Sequence, residues 1–180
     1  KNVIGTAARF LPWKGWDKVI ETAAKLRDLN LDFKLLLAGS DDENYKQKLE
    51  NLVDVNNLND YIIFENHYEN IEIFFEKIDL FLFLTESEGF GLVVLEAIEN
   101  NIPVVCSNIE PLSEFVENSY KTLVNRENTG DIANFVYKIL NDDDLIKQIQ
   151  IKQKNKITKE FPITLSAEKH EKYYINLLNN

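Results

Sequence analysis

Glu88 and Glu96 are separated by seven residues in the string EGFGLVVLEA, which runs from Glu88 to Ala97. The spacing alone says little, because the chain holds 18 Glu and the pair Glu160 and Glu168 repeats it. Context separates the two pairs. Glu88 leads into Gly89-Phe90-Gly91, after which Leu92, Val93, Val94 and Leu95 open an apolar helix broken only by Glu96. Glycines allow backbone conformations and close ligand approach that side chains forbid. Unpaired N–H groups at the start of such a helix form an anion site. The plainer account is that the helix dipole favours a Glu in the first turns.

Arg9 and Lys14 form a second constellation, flanking Leu11-Pro12-Trp13 just before Gly15. A guanidinium and an ammonium on one loop suit a diphosphate, the first by its fork of donors and the second as a point charge. Taken singly they could equally be solvated surface cations. Their setting favours the anion site: residues 1–27 carry six Lys or Arg against Asp17 and Glu21, in a chain of net charge -10. That overall charge repels polyanions, so neither nucleic acid nor an anionic membrane is an expected partner of the whole surface.

Other residues are less informative. His67 lies in a loop, followed by Tyr68, and a lone loop His is more often structural or merely exposed; His170 sits on a polar helix. Two distant His and the single Cys106 give no zinc spacing. The runs Asp41-Asp42-Glu43 and Asp142-Asp143-Asp144 read as acidic helix starts, without the calcium-loop pattern. No metal and no cofactor is expected. The first strand is not followed by G-x-G-x-x-G or a P-loop, which argues against a dinucleotide dehydrogenase or an NTPase. Paired carboxylates also occur in glycosidases, but that chemistry does not require a phosphate cradle.

The elements that position these residues alternate between strand and helix. Apolar runs at Val3–Ala7, Phe33–Ala38, Tyr61–Phe64, Leu80–Leu84, Pro103–Cys106 and, weakly, Lys121–Val124 predict strands. Helices are predicted over Trp16–Leu29, Asn44–Val53, Ile71–Lys77, Leu92–Asn100, Leu112–Val116 and Gly130–Leu140. Two polar helices follow, over Asp143–Lys159 and Ile163–Leu178. They either close the domain or, in the case of the last, reach a neighbouring domain. The pattern predicts an α/β fold, a Rossmann-like parallel sheet with helices on both faces. Ligands of such sheets bind beyond the carboxyl ends of the strands, where both constellations fall.

At 180 residues one domain is expected, over 1–180, with the α/β core in about 1–140 and C-terminal helices in about 141–180. A charged fraction of 28% with few Gly and Pro is that of a folded chain. One Cys fits a reducing compartment, so the cytoplasm is the expected location. No apolar run is long enough for a membrane helix. The chain lacks Met and opens directly on Lys1-Asn2-Val3-Ile4, so a piece of a longer protein is expected.

With these residues in place, the chain resembles the retaining group 1 glycosyltransferases of the GT-B fold, whose donor domain carries a Glu, seven residues, Glu motif. EGFGLVVLEA with Pro103-Val104-Val105 looks like the family's central signature, and ARFLPWKG from Ala8 to Gly15 looks like its phosphate loop. The resemblance runs from about Val3 to Val124 and implies the C-terminal, donor-binding half of such an enzyme. Arg9 and Lys14 would bind the diphosphate of a UDP- or GDP-sugar, with the backbone of Gly89, Phe90, Gly91, Leu92 and Val93 around the phosphates and sugar. Glu88 would be the catalytic-site carboxylate touching the sugar hydroxyls, and Glu96 would hold the ribose. Asn66 and His67 would lie by the base. The departures are Ala8 and Asn101 where Gly is common, and Glu110-Pro111 where a Gly pair is frequent.

The implied reaction is sugar transfer with retention, serving surface polysaccharide or glycolipid synthesis. The acceptor-binding N-terminal domain is absent from this chain, so the piece alone would be inactive; that domain would also mediate any peripheral association with the inner membrane face. A non-catalytic nucleotide-sugar-binding module, or an epimerase or phosphorylase on the same fold, remains open from the sequence.

Overall fold

Alternation along the strands divides the interior in two. In the segment Phe33–Ala38, Leu35 and Leu37 join one apolar cluster while Leu36 and Ala38 join another; Leu80 and Leu82 part in the same way from Phe81 and Phe83. Successive strand side chains point to opposite faces, so strands apolar at every position need cover on both. The computed structural model describes residues 2–41 and 44–161 and shows where that cover comes from.

Strands β1 (Asn2–Ala7), β2 (Phe33–Ala38), β3 (Ile62–Glu65), β4 (Leu80–Phe83), β5 (Val104–Ser107) and β6 (Leu123–Val124) form one sheet in the order β3-β2-β1-β4-β5-β6. Every pairing is parallel. Helices α1 (Trp16–Asp28), α2 (Lys46–Val55) and α6 (Thr129–Leu140) cover one face through Trp16, Val19, Leu49 and Val136. On the other lie α3 (Glu72–Phe75), α4 (Leu92–Glu99) and α5 (Leu112–Phe115), through Phe74, Val94 and Leu112. The last described helix, α7 (Asp143–Glu160), serves both: Ile149 packs with the first cluster and Ile157 with the second.

Strand order reverses between β1 and β4. The chain leaves β1 toward the α1 face and β4 toward the α4 face, which opens a crevice at the carboxyl ends of these two neighbours.

All six expected strands form, and boundaries shift for local reasons. The helix expected over Asn44–Val53 begins at Lys46, because Asn44 sits at φ 56° and the Asp41 carboxylate accepts from the N–H groups of Tyr45 and Lys46. Tyr61 falls outside β3, its N–H bonded to the Leu58 carbonyl in a turn. Lys121 adopts φ 58°, so β6 starts only at Leu123. The expected helix Ile163–Leu178 lies outside the described residues.

Candidate functional site

The loop after β1 forms the first wall, and a buried indole fixes it. Trp16 is fully buried and donates from Nε1 to the Arg9 carbonyl at 3.0 Å, with the Phe10 ring 4.7 Å away. The Phe10 N–H reaches the Ser40 carbonyl at 2.8 Å. The Arg9 backbone is therefore held while Arg9 itself stays exposed. Pro12–Lys14 make one 3-10 turn, ended by Gly15 at φ 74°. A Cβ at Gly15 would lie 1.8 Å from the Leu84 carbonyl oxygen, so the loop after β1 touches the end of β4 with no room to spare.

The second wall comes from the β4–α4 loop and is tied to the first through one carbonyl. Trp13 O accepts from Glu86 N at 2.8 Å and from Thr85 Oγ1 at 3.1 Å. This brings the Lys14 ammonium onto the Glu88 carboxylate, an ion pair whose side chains are only 14% and 11% exposed. Helix α4 starts behind Gly91 at φ 83°, a cap without a side-chain acceptor for the first helical N–H groups. Along α4, Val94, Ala97 and Ile98 point into the core, while Leu92, Val93 and Glu96 line the open side.

The third wall is the loop after β3. His67, Tyr68, Glu69 and Ile71 line it, whereas Asn66, expected beside His67, does not. Tyr68 donates its hydroxyl proton to the Glu65 carboxylate and accepts from the Lys77 ammonium. Those bonds, from Tyr68 first and Glu65 second, hold the Lys77 pKa above its ordinary value.

The three walls enclose one open cleft of about 560 Å³ at the reversal point of the sheet. Arg9, Lys14, Glu88, Gly89, Phe90, Gly91, Leu92, Val93, Glu96 and His67 all line it. Cations stand on one side, the amide end of a helix on another, and carboxylates at Glu88 and Glu96. Among the described residues no group of three or more His, Cys, Asp or Glu is arranged to hold a metal ion, and no helix is long and apolar enough to cross a membrane.

The family described as "Glycosyl transferases group 1" matches residues 1–158. The chain belongs to this family. Among curated group 1 relatives, the O-antigen biosynthesis glycosyltransferase WclY of Escherichia coli is 30% identical over 183 residues, covering 96% of this chain and 46% of that protein. The capsular polysaccharide biosynthesis glycosyltransferase CapM of Staphylococcus aureus is 26% identical over 178 residues, covering 98% of this chain and 46% of CapM. The chain thus spans less than half the length of these relatives. Among solved structures, a mutant of S. aureus TarM in complex with fondaparinux, alpha-GlcNAc-glycerol and UDP superposes with TM-score 0.88 at 24% identity, covering 100% of this chain and 36% of TarM. The C-terminal domain of the Francisella tularensis group 1 protein LpcC matches with TM-score 0.77 at 24% identity, covering 91% of this chain and 87% of that one. The fold is accordingly that of the C-terminal half of a GT-B glycosyltransferase.

Within this group 1 domain, sequence reasoning missed Tyr68, Glu69, Ile71 and Gly39 as cleft residues. Only the position of His67 in the same loop pointed to the first three. The Trp13 carbonyl carries no signal at all, since every residue has one.

Proposed function

We propose that this domain binds a nucleoside-diphosphate sugar, a UDP- or GDP-sugar, for transfer of the sugar to an acceptor with retention at the anomeric carbon. The observation that carries the proposal is the single cleft that faces Arg9 and Lys14 toward the start of α4 and toward Glu88 and Glu96. In this reading the diphosphate lies against Arg9, Lys14 and the first amides of α4, the ribose hydroxyls donate to Glu96, and the sugar hydroxyls donate to Glu88. When the sugar–phosphate bond breaks, the electron pair leaves on the diphosphate. Fixed cations and helix amides stabilise that charge, so no metal is required. In this reading Lys14, which pairs with Glu88, turns to the phosphates when the donor binds.

An acceptor domain outside this chain completes the enzyme, and the group 1 relatives of O-antigen and capsule synthesis make surface polysaccharide or glycolipid the favoured product class. The cytoplasm is the proposed location, from the single Cys106 and the reducing compartment it fits. Calorimetric titration of UDP and GDP in the presence of EDTA tests the reading. Binding of at least one is expected; failure of both, or binding only with a divalent ion, rejects the metal-free site. The chain alone is expected to bind donor without transferring sugar.

A further inference from the structure

Arg126 does not line the cleft, yet its side chain meets both loops that do. It leaves the turn between β6 and α6, which closes on Asn125: the Asn125 carbonyl accepts from Asn128 N at 3.0 Å and its side chain from Glu127 N at 3.1 Å. The Arg126 side chain is 14% exposed and faces three carboxylates, Glu86 at 3.2 Å, Glu127 at 3.3 Å and Asp17 at 3.9 Å. Glu127 pairs in turn with Lys18 at 3.2 Å. The Asp17 Oδ1 atom is buried and finds no hydrogen-bond partner among the described residues, so it leans on the Arg126 charge. Asp17 lies in the first turn of α1, three residues after Lys14 and next to Trp16, which holds the Arg9 carbonyl. Glu86 lies two residues before Glu88, and its N–H reaches the Trp13 carbonyl. Arg126 thus bridges through side chains the same two loops that the Trp13 carbonyl joins through the backbone. One carbonyl leaves a pivot about which the loops can turn; a planar guanidinium with rigid donors, bound to both at a second point, removes that freedom.

We propose that Arg126 is a positioning residue that fixes the loop after β1 against the loop after β4, so that Lys14 and the start of α4 meet one diphosphate. The inference rests on the nucleotide reading above. In that reading the phosphate contacts come from both loops, Lys14 from the first and the amides behind Gly91 from the second. A shift between the loops therefore costs affinity for the diphosphate, whatever base or sugar it carries.

The test titrates inorganic pyrophosphate, UDP and GDP into the whole chain by calorimetry, for the original and for Arg126→Met and Glu86→Gln. These substitutions change the net charge in opposite directions. A long-range field effect would weaken the anions in Arg126→Met and strengthen them in Glu86→Gln. Loss of positioning weakens pyrophosphate and nucleotide in both, by roughly 3- to 10-fold for Arg126→Met and by less for Glu86→Gln. The Glu86 side chain is 68% exposed, so Glu86→Gln is expected to fold even if Arg126→Met, which strands Asp17, does not; its affinities then decide. Amide exchange reads the junction without a ligand. In Arg126→Met the Glu86 N–H, bonded to the Trp13 carbonyl, should exchange faster relative to the Phe81 N–H, which bonds to the Pro103 carbonyl beside β4. Exchange that speeds equally at both amides or at neither, or Glu86→Gln binding pyrophosphate as tightly as the original or more so, overturns the positioning role. An original chain that binds none of the three ligands rejects the proposed function, and the role toward the donor with it, while the exchange ratio still shows whether Arg126 joins the loops.

Discussion

Lys14 and Glu88 show how much of the site depends on pairs. Each neutralises the other across the cleft, so deleting one changes what the other does. Glu88→Ala frees the ammonium for phosphate. Affinity for bare UDP should then hold or rise, while affinity for a sugar-bearing donor falls; an equal loss for both ligands would remove Glu88 from the sugar. Lys14→Ala deletes a charge-assisted bond worth about 1.5 to 3 kcal/mol and leaves a carboxylate facing the phosphates, so UDP should weaken by at least about tenfold. Glu96→Ala should weaken UDP and a UDP-sugar alike, by about 1.5 to 3 kcal/mol, if it holds the ribose. Calorimetry on the four proteins separates these outcomes from a purely structural pair, which would change thermal stability alone. That Arg9, Lys14 and Glu88 would line one cleft was legible because each stands in a loop after a strand, where an α/β sheet places its ligands, and Glu96 lies on the helix that the second of these loops opens. The ion pair was not: it joins residues 74 positions apart, and it forms because two backbone loops meet at the Trp13 carbonyl.

At the scale of elements, the start of α4 is the sharpest feature, and its two glycines have different reasons to be glycine. Gly91 takes φ 83°, and a Cβ there would lie 2.4 Å from Leu112 Cδ2. Gly91→Ala is therefore expected to lower folding stability by at least about 1 to 2 kcal/mol, from the left-handed backbone alone, with further cost if Leu112 cannot move. At Gly89 a Cβ would meet nothing within 4 Å and would project from a residue that lines the cleft. Gly89→Ala should leave the denaturation midpoint in place and reduce donor affinity. The opposite pattern in urea titrations would mean that the loop, not the ligand, dictates Gly89. The repeating apolar runs made the six strands readable, whereas helix starts depended on single side chains that periodicity does not weigh, as when Asp41 claims the amides of Tyr45 and Lys46 and delays α2.

Across the whole molecule, α7 is the element that closes the sheet and steadies the helix that starts the site. Its Gln153, buried and opposite the first residue of β5, accepts from Val104 N at 2.9 Å and donates to Val104 O at 2.8 Å, taking the place of a neighbouring strand. Gln150 donates to the Asn101 carbonyl and Lys154 to that of Glu99, at the end of α4 remote from the cleft. Two residues on from Val104, Cys106 is fully buried, and burial pushes its thiol pKa up, so the folded chain presents almost no thiolate at neutral pH. Labelling by a thiol reagent should therefore require opening of the sheet, and its rate should follow the global unfolding equilibrium when closing outpaces labelling. Gln153→Ala strands a buried N–H and a buried carbonyl at about 1 to 3 kcal/mol each. Loss of even one of these bonds should speed Cys106 labelling by roughly 5- to 150-fold and lower the urea-derived stability by the matching amount. Faster labelling without a matching loss of global stability would mean that the edge of β5 opens by itself, with α7 acting as a local latch. Labelling of the unmutated chain at the rate of an unfolded thiol would contradict the buried position of Cys106 altogether.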